Sequence, residues 1–337
     1  MQFAVFFAKL AVLGAVVLGL LFVNPTPLST NAPDKPRTAS AVKTVLSLAA
    51  MTENSTVMLK GEERDRVNIL FVGLPGEGNS APDLTDTLIV ASIKPSTHQV
   101  ALISLPRDLL VRVEQLNYQT KINALFRMNE RNPELLEQKI TEITGEPVDY
   151  FVALDISAVE HIVDALGGLN VEVPEDIHDT AFPTKDFGVE TFSVEKGWRY
   201  FDGATAQKYL RTRHSAGGDF VRMRQQQAVL EALRKKVFGL NILYDFPTIL
   251  SLYGAVAAHT QTNLAPEEIQ RLYHIAKTVS YDTVKQVVVD GDPKDPNALL
   301  VSTTVRLGGK EAFVLVPKKG TFDYSDIREL VINIFKQ

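Results

Sequence analysis

The sequence has 337 residues, 45% of them hydrophobic, and its 35 Lys and Arg against 40 Asp and Glu give a net charge of −5 at pH 7. A chain of this length can bury a large core in one or two domains, and its acidic balance argues against a nucleic-acid partner. The chain contains no cysteine, which excludes disulfides, thiolate metal sites and cysteine nucleophiles.

The N-terminal segment from Phe3 to Val23 is apolar except for Lys9 and is long enough to cross a hydrocarbon core of about 30 Å. A cleaved signal peptide is the alternative, but its apolar region would be shorter and a small-residue cleavage pattern should follow. We therefore expect residues 1–24 to form one transmembrane helix and residues 25–65, which begin rich in Pro, Thr, Ser and Ala, to form a linker. The Lys and Arg residues around the segment leave its orientation open.

The rest of the chain, residues 66–337, shows no internal linker, and we expect it to form one domain. It opens with three β-rich apolar runs, VNILFVG, TLIVASI and QVALISL. A strand (VDYFVALD), a helix (SAVEHIVDALGG) and a strand (LNVEVP) follow with short connections. Because this order implies a parallel crossover, we predict an α/β fold with a mixed central sheet covered by helices.

Capping residues predict where the helices begin. Asn132 as N-cap with Pro133 in the first position begins one helix, Asp202 begins a short helix, and Asp219 begins a long one. The C-terminal third adds a helix (APEEIQRLYHIAKTV), two strand-like runs (QVVVD and AFVLVP) and a closing helix (YSDIRELVINIF).

Arginines lie at the ends of several predicted elements. Arg107 directly follows an apolar strand, and in open α/β sheets ligands gather at the carboxyl ends of strands. Arg211 and Arg213 follow the short helix, and Arg222 lies one turn after Asp219. Since a guanidinium can bind two phosphate oxygens at once, four arginines from separate segments favour a pyrophosphate site. A solvated basic surface is the alternative.

Asp86 begins a predicted strand, where it could bind a hard cation such as Mg²⁺. A strand-entry position without a metal is the other interpretation. The six histidines lack the spacing of zinc ligands, and only His214 lies beside the arginines, where it could contact a substrate.

Residues 67–236 contain, in this order, the segments NILFVG, LTDTLIVASI, ISLPRD, KINALF, VDYFVALDISAVEHIVDALGGLNVEVP, GWRYFDGATAQKYLRTRH and GDFVRMRQQ. This order resembles that of the LytR-CpsA-Psr (LCP) enzymes of bacterial cell envelopes. The resemblance implies a single-pass protein of the bacterial cell membrane with its catalytic domain outside the cytoplasm. Such a transferase moves a glycopolymer phosphate from a polyprenyl-pyrophosphate carrier to a peptidoglycan hydroxyl and forms a phosphodiester.

The resemblance also implies roles for individual residues. The pyrophosphate-binding set would be Arg107, Lys121, Arg211, Arg213, Arg222 and Gln226. Asp86 matches the second of two carboxylates that bind Mg²⁺. Arg107, Arg222 and Asp219 would act in catalysis, with Asp108 as the alternative to Asp219 for accepting the hydroxyl proton. The polyprenyl tail would lie in an apolar tunnel between sheet and helices, for which residues 229–244 could supply side chains.

The sequence departs from the family pattern after the first strand. The segment GLPGEG places Pro75 where the first metal-binding aspartate is expected, and Leu84 stands where an arginine often precedes the second. Asp83 or Glu77 could substitute, or Asp86 and the phosphates could hold Mg²⁺ together. Two other functions therefore stay open: a polyprenyl-pyrophosphate hydrolase, and a non-catalytic protein that binds polyprenyl phosphates or anionic polymers.

Overall fold

The computed structural model describes residues 57–76, 81–155, 158–184, 188–212, 245–279, 284–292 and 295–336, together with 225, 228–229, 231–233, 235–237 and 239–240. The predicted membrane anchor and most of the predicted linker lie outside these residues. Among the helices of the described ranges, none combines the length and the apolar character that a bilayer crossing requires.

A six-stranded mixed sheet lies at the centre of the fold. Its strands are β1 (Val67–Leu74), β2 (Thr87–Lys94), β3 (Gln99–Leu105), β6 (Tyr150–Asp155), β11 (Thr260–Thr262) and β12 (Lys285–Val288). They are ordered β11-β6-β1-β2-β3-β12, with β1 parallel to β6, β3 parallel to β12, and β2 antiparallel to both β1 and β3. As a result β1, β3 and β6 end at the edge where β2 begins, which we call the carboxyl edge.

The remaining strands form two-stranded antiparallel pairs outside this sheet. They are β4 (Leu110–Val113) with β5 (Tyr118–Lys121), β7 (Leu169–Val173) with β10 (Gly197–Phe201), β8 (Ile177–Pro183) with β9 (Val189–Val194), and β13 (Leu300–Leu307) with β14 (Lys310–Pro317). The β4–β5 hairpin follows β3 directly, which brings it close to the carboxyl edge.

Helices cover both faces of the central sheet. They are α1 (Leu125–Met128), α2 (Glu134–Thr144), α3 (Ala158–Ala165), α4 (Gly203–Arg211), α5 (Phe246–Ala258), α6 (Pro266–Thr278) and α7 (Ser325–Ile332). Side chains of β1 alternate between two apolar clusters. Ile69 packs in a first-face cluster with residues of α3 to α6, whereas Leu70 and Val72 pack in a second-face cluster with residues of α2 and α7. Complete burial of such a side chain stabilises the fold by about 1.5 to 3 kcal/mol.

The fold confirms the predicted class, but the predicted parallel crossover through LNVEVP is wrong. That segment is β7, which pairs antiparallel with β10 outside the central sheet. Leu169, Val171 and Val173 of β7 are buried while Asn170 and Glu172 are exposed. This alternation suits a strand with one covered face, because a central parallel strand is apolar on both faces.

Two of the predicted helix starts can be compared with the structure. Helix α2 begins at Glu134, one residue later than predicted, and the Oδ1 atom of Asn132 accepts a hydrogen bond of 3.0 Å from the Glu134 N–H. Asp202 caps α4 as predicted, since its Oδ1 accepts a bond of 2.8 Å from the Thr205 N–H. Asp219 and half of the long helix predicted after it lie outside the described residues, whereas residues 225, 228–229, 231–233 and 235–237 are helical as predicted.

Candidate functional site

Four charged side chains meet at the carboxyl edge. Arg107, which lies two residues beyond the end of β3, places its Nη1 atom 2.5 Å from Oδ1 of Asp86 and its Nε atom 3.7 Å from Oδ2 of Asp108. The other carboxylate oxygen of Asp108 accepts a hydrogen bond of 2.6 Å from Nζ of Lys121. We call Asp86, Arg107, Asp108 and Lys121 the charge cluster. It brings together three residues that the sequence assigned to one site.

Backbone hydrogen bonds hold the segments that carry the charge cluster. The Asp86 N–H donates to the Gly73 carbonyl at 2.9 Å, which ties the start of β2 to β1. The N–H of the buried Thr85 donates to the Asn123 carbonyl at 3.0 Å, and the Asn123 N–H donates to the Arg107 carbonyl at 3.3 Å. Since these bonds join the ends of regular elements, the four charged side chains project from a fixed frame.

The charge cluster is accessible to solvent. The side chain of Arg107 is 48% exposed and that of Asp86 is 33% exposed. Ion pairs in such surroundings stabilise a protein by about 1 kcal/mol or less. A diphosphate, whose oxygens bind guanidinium groups in pairs, can therefore replace Asp86 as the partner of Arg107 at small cost.

Arg211 lies in a different environment. It is the last residue of α4, is half-buried, and its guanidinium carbon lies 5.7 Å from the centroid of the Phe182 ring, which belongs to the first-face cluster. Arg211 thus contacts a ring of β8, whereas Arg107 contacts Asp86 at the carboxyl edge. Arg213, His214, Asp219, Arg222 and Gln226 lie outside the described residues, and their roles stay predictions.

The chain next to Arg211 contains a contact that the sequence reasoning missed. The hydroxyl of Thr212 donates a hydrogen bond of 2.5 Å to Oδ2 of Asp179, and both side chains are buried. Asp179 lies in β8, so 33 residues separate the partners along the chain. Asp179 occupies a buried position of β8. The sequence does not show that its partner is Thr212, because this pairing depends on how β8 packs against the end of α4.

A second missed feature explains the glycine after Pro75. Gly76 has a φ angle of +79°, and a Cβ atom on it would lie 1.6 Å from Oδ1 of Asp155, the last residue of β6. Asp155 is only 8% exposed, and its N–H donates to the His259 carbonyl at 3.0 Å. The segment after β1 thus needs glycine at position 76 both for its backbone angle and for its approach to Asp155.

The described residues fit a magnesium ion only in part. Asp86 supplies one accessible carboxylate, Pro75 supplies none, Asp83 has its Oδ1 atom 3.6 Å from Arg131, and Glu77 is outside the described ranges. In the part of the chain that the structure covers, no three His, Asp or Glu side chains come together as a metal site. Mg²⁺ commonly uses one or two carboxylates and takes its other ligands from phosphates and water, so Asp86 suits an ion held largely by a diphosphate.

The chain is similar to proteins that are named for roles in cell-wall synthesis. The chain is 25% identical over 222 residues to the polyisoprenyl-teichoic acid–peptidoglycan teichoic acid transferase TagU of Enterococcus faecalis, which covers 66% of this chain and 68% of TagU. It is 32% identical over 174 residues to the probable cell wall biosynthesis protein LcpB of Corynebacterium glutamicum, which covers 50% of this chain and 39% of LcpB. The matched segments thus span only part of either relative.

The fold itself is also found among solved structures. The crystal structure of B. subtilis TagV is similar with a TM-score of 0.53 at 20% identity, over 81% of this chain and 98% of that one. The model of the LytR_cpsA_psr family matches residues 34–311, which is most of the chain. The chain therefore belongs to the LytR_cpsA_psr family.

Proposed function

We propose that this protein transfers a glycopolymer phosphate from a polyprenyl-pyrophosphate carrier to a peptidoglycan hydroxyl, forming a phosphodiester. Membership of the family and the similarity to a relative named as a teichoic acid transferase support this proposal. The observation that carries it is the charge cluster, in which an accessible arginine is held at the carboxyl edge by weak ion pairs.

Phosphoryl transfer asks a protein mainly to position the reactants and to neutralise charge on the phosphate oxygens. In this proposal Arg107 exchanges Asp86 for the phosphate oxygens, and Lys121 adds a second cation from β5. Arg211, Arg213, Arg222 and Gln226 complete the binding set. Loss of one such donor typically costs on the order of 3 kcal/mol in the barrier.

The acceptor hydroxyl must lose its proton as it attacks. Asp108 lies between Arg107 and Lys121, which pair with its carboxylate and orient it at the edge of the cluster. Asp219 is the candidate proton acceptor that the family resemblance supplies, and Asp108 is its alternative. The attack breaks the bond between the two phosphates, so polyprenyl phosphate is the leaving group, and Mg²⁺ held by Asp86 would neutralise charge on the phosphate oxygens.

The proposal also places the catalytic domain outside the cytoplasm, at the cell membrane. A transmembrane helix within residues 1–24 would hold the domain at the outer face of the bacterial cell membrane, where the lipid carrier presents its diphosphate. The carrier's polyprenyl tail would then enter between the central sheet and the helices of the first face.

Turnover of a polyprenyl-diphosphate oligosaccharide with Mg²⁺, with and without peptidoglycan, tests the proposal. We expect a phosphodiester-linked product that forms only when peptidoglycan is present. Release of polyprenyl phosphate at the same rate with and without peptidoglycan, and no linked product, would indicate the hydrolase. Absence of any turnover, with the diphosphate still bound, would indicate a binding protein.

A further inference from the structure

A pocket of about 590 Å³ opens beside the charge cluster, between the β4–β5 hairpin and the segment that leads through α1. It is lined by Leu84, Thr120 and Ala124, which are partly or fully buried, and by exposed side chains at its mouth, Leu116, Tyr118, Arg127 and Met128. Leu116 is 62% exposed and Tyr118 is 42% exposed, although both are large apolar side chains. Neither the diphosphate nor the lipid tail of the proposed donor accounts for this pocket.

The pocket shares two chain segments with the charge cluster and adjoins Asn123, which is hydrogen-bonded to Arg107. Leu84 lies two residues before Asp86, Thr120 directly precedes Lys121, and Ala124 directly follows Asn123. The hydrogen bonds from Thr85 to Asn123 and from Asn123 to Arg107, at 3.0 and 3.3 Å, tie these segments together. The pocket thus adjoins the segments that carry the charge cluster, with Thr120 and Lys121 on opposite faces of β5.

The side chains at the mouth indicate the chemistry of the ligand. The exposed ring of Tyr118 offers an apolar surface with a polar tip, which suits the C–H face and the hydroxyls of a sugar ring. Arg127 is exposed, and no carboxylate of the described residues forms an ion pair with it, in contrast to Arg107 and Arg131. A guanidinium in this state suits a carboxylate or phosphate of the ligand.

We propose that this pocket binds the acceptor, as a saccharide that carries a carboxylate. Its sugar ring packs on Tyr118, its carboxylate binds Arg127, and its hydroxyl faces the phosphate on Arg107. This inference rests on the proposed function, because only a transferase needs a second substrate here. The polyprenyl tail is a poor occupant, since Thr120 and Arg127 line the pocket and its mouth is open to solvent.

Calorimetric titration of the full-length protein in detergent with a soluble peptidoglycan disaccharide-peptide tests this inference directly. We expect Tyr118→Ala and Arg127→Gln each to raise the Kd by about tenfold, which corresponds to the loss of one good aromatic or charged contact. Tyr118→Phe, which keeps the ring, should stay close to wild type. Trp198→Ala removes another exposed aromatic side chain, 59% exposed on β10, and should bind as wild type does.

The kinetics of transfer show whether the pocket binds the acceptor or the glycan of the donor. We expect Tyr118→Ala to raise the KM for the acceptor and to leave the KM for the donor within about twofold. A rise in the donor KM alone would assign the pocket to the donor's glycan and contradict the proposal. Unchanged acceptor binding in Tyr118→Ala and Arg127→Gln, or no measurable binding to the wild type, would contradict it too. Failure of the proposed function is a separate result, namely a wild type that binds the fragment but links nothing to it.

Discussion

The hydroxyl of Thr212 donates a hydrogen bond of 2.5 Å to the buried carboxylate of Asp179. The other oxygen of this carboxylate accepts a bond of 3.0 Å from the Ala181 N–H, so the acceptor is fixed within β8. Thr212 lies between Arg211 and Arg213, two predicted phosphate ligands. The bond therefore fixes the end of α4, where Arg211 lies.

Replacing Thr212 with valine keeps the shape of the side chain but removes the donor. We expect Thr212→Val to lower the free energy of unfolding by about 1 to 3 kcal/mol, because a buried carboxylate oxygen loses a partner. Thr212→Ser should retain most of the stability. Urea unfolding of the two variants checks this, and a higher donor KM in the valine variant alone would show that the bond positions the arginines. Equal stability of the two variants would contradict the role of the bond.

The cap of α4 supports the same region from the other end of the helix. Asp202→Ala should destabilise the protein by about 1 kcal/mol, whereas Asp202→Asn, which can still cap, should change little at neutral pH. Hydrogen bonds from Thr205, first through its side chain and then through its backbone, lower the pKa of Asp202 below its ordinary value of 3.8. A lowered pKa in the folded state means that the stabilisation is present above that pH and is lost as the pH falls further.

Urea unfolding at several pH values tests this dependence. The difference in stability between wild type and Asp202→Ala should be constant from pH 7 down to about 5 and should shrink below the ordinary pKa of 3.8. A difference that grows as the pH falls would be incompatible with a charged cap.

A comparison of Gly76 with Gly309 separates two effects on stability, the close approach of Gly76 to Asp155 and the strain of a left-handed backbone. Their φ angles, +79° and +83°, are nearly equal, but a Cβ on Gly309 would meet nothing within 4 Å, whereas one on Gly76 would meet Asp155 at 1.6 Å. Gly309→Ala should cost about 1 to 2 kcal/mol from the left-handed backbone alone. We expect Gly76→Ala to cost clearly more in denaturant unfolding, and similar losses in both variants would show that Asp155 moves aside freely.

The central strands were predictable because each strand can be recognised from the apolar residues of its own segment. The runs that form β1, β2 and β3 are apolar on both faces, and the structure places them within one residue of the predicted bounds. The contact of Asp86 with Arg107 also follows from order along the chain, since one strand starts and another ends at the same edge. The sequence thus indicates that Asp86 and Arg107 lie at one edge of the sheet, and their function stays a prediction.

Partners chosen by tertiary packing were not predictable in this way. Strand β7 pairs with β10 rather than with the central sheet because the chain returns to β7 at least 24 residues later, where Gly197 lies opposite Val173. The ion pair of Asp108 with Lys121 depends on the register of β4 and β5, in which Leu110 faces Lys121. The pocket at Tyr118 depends on the same register, and for that reason no sequence motif predicted it.

Asp86 provides a test of the magnesium proposal that differs from a simple loss of activity. Because Asp86 pairs with Arg107, Asp86→Asn replaces this ion pair with a neutral contact. If Asp86 binds Mg²⁺, the variant should need at least about tenfold more Mg²⁺ for half-maximal transfer, since one of its few protein ligands is gone. Titration of transfer and of diphosphate binding against Mg²⁺ checks this. An unchanged Mg²⁺ requirement would indicate that Asp86 orients Arg107 and does not bind Mg²⁺.

The most direct test of the account is the rate of transfer catalysed by Arg107→Ala, compared with Arg112→Ala. Arg112 is a matched control, since it is an exposed arginine on the neighbouring β4 whose guanidinium carbon lies 4.6 Å from the centroid of the Phe322 ring. With both folds verified by circular dichroism, we predict a loss of about a hundredfold or more for Arg107→Ala and nearly wild-type transfer for Arg112→Ala. Equal transfer rates in the two variants would contradict the claim that Arg107 binds the diphosphate.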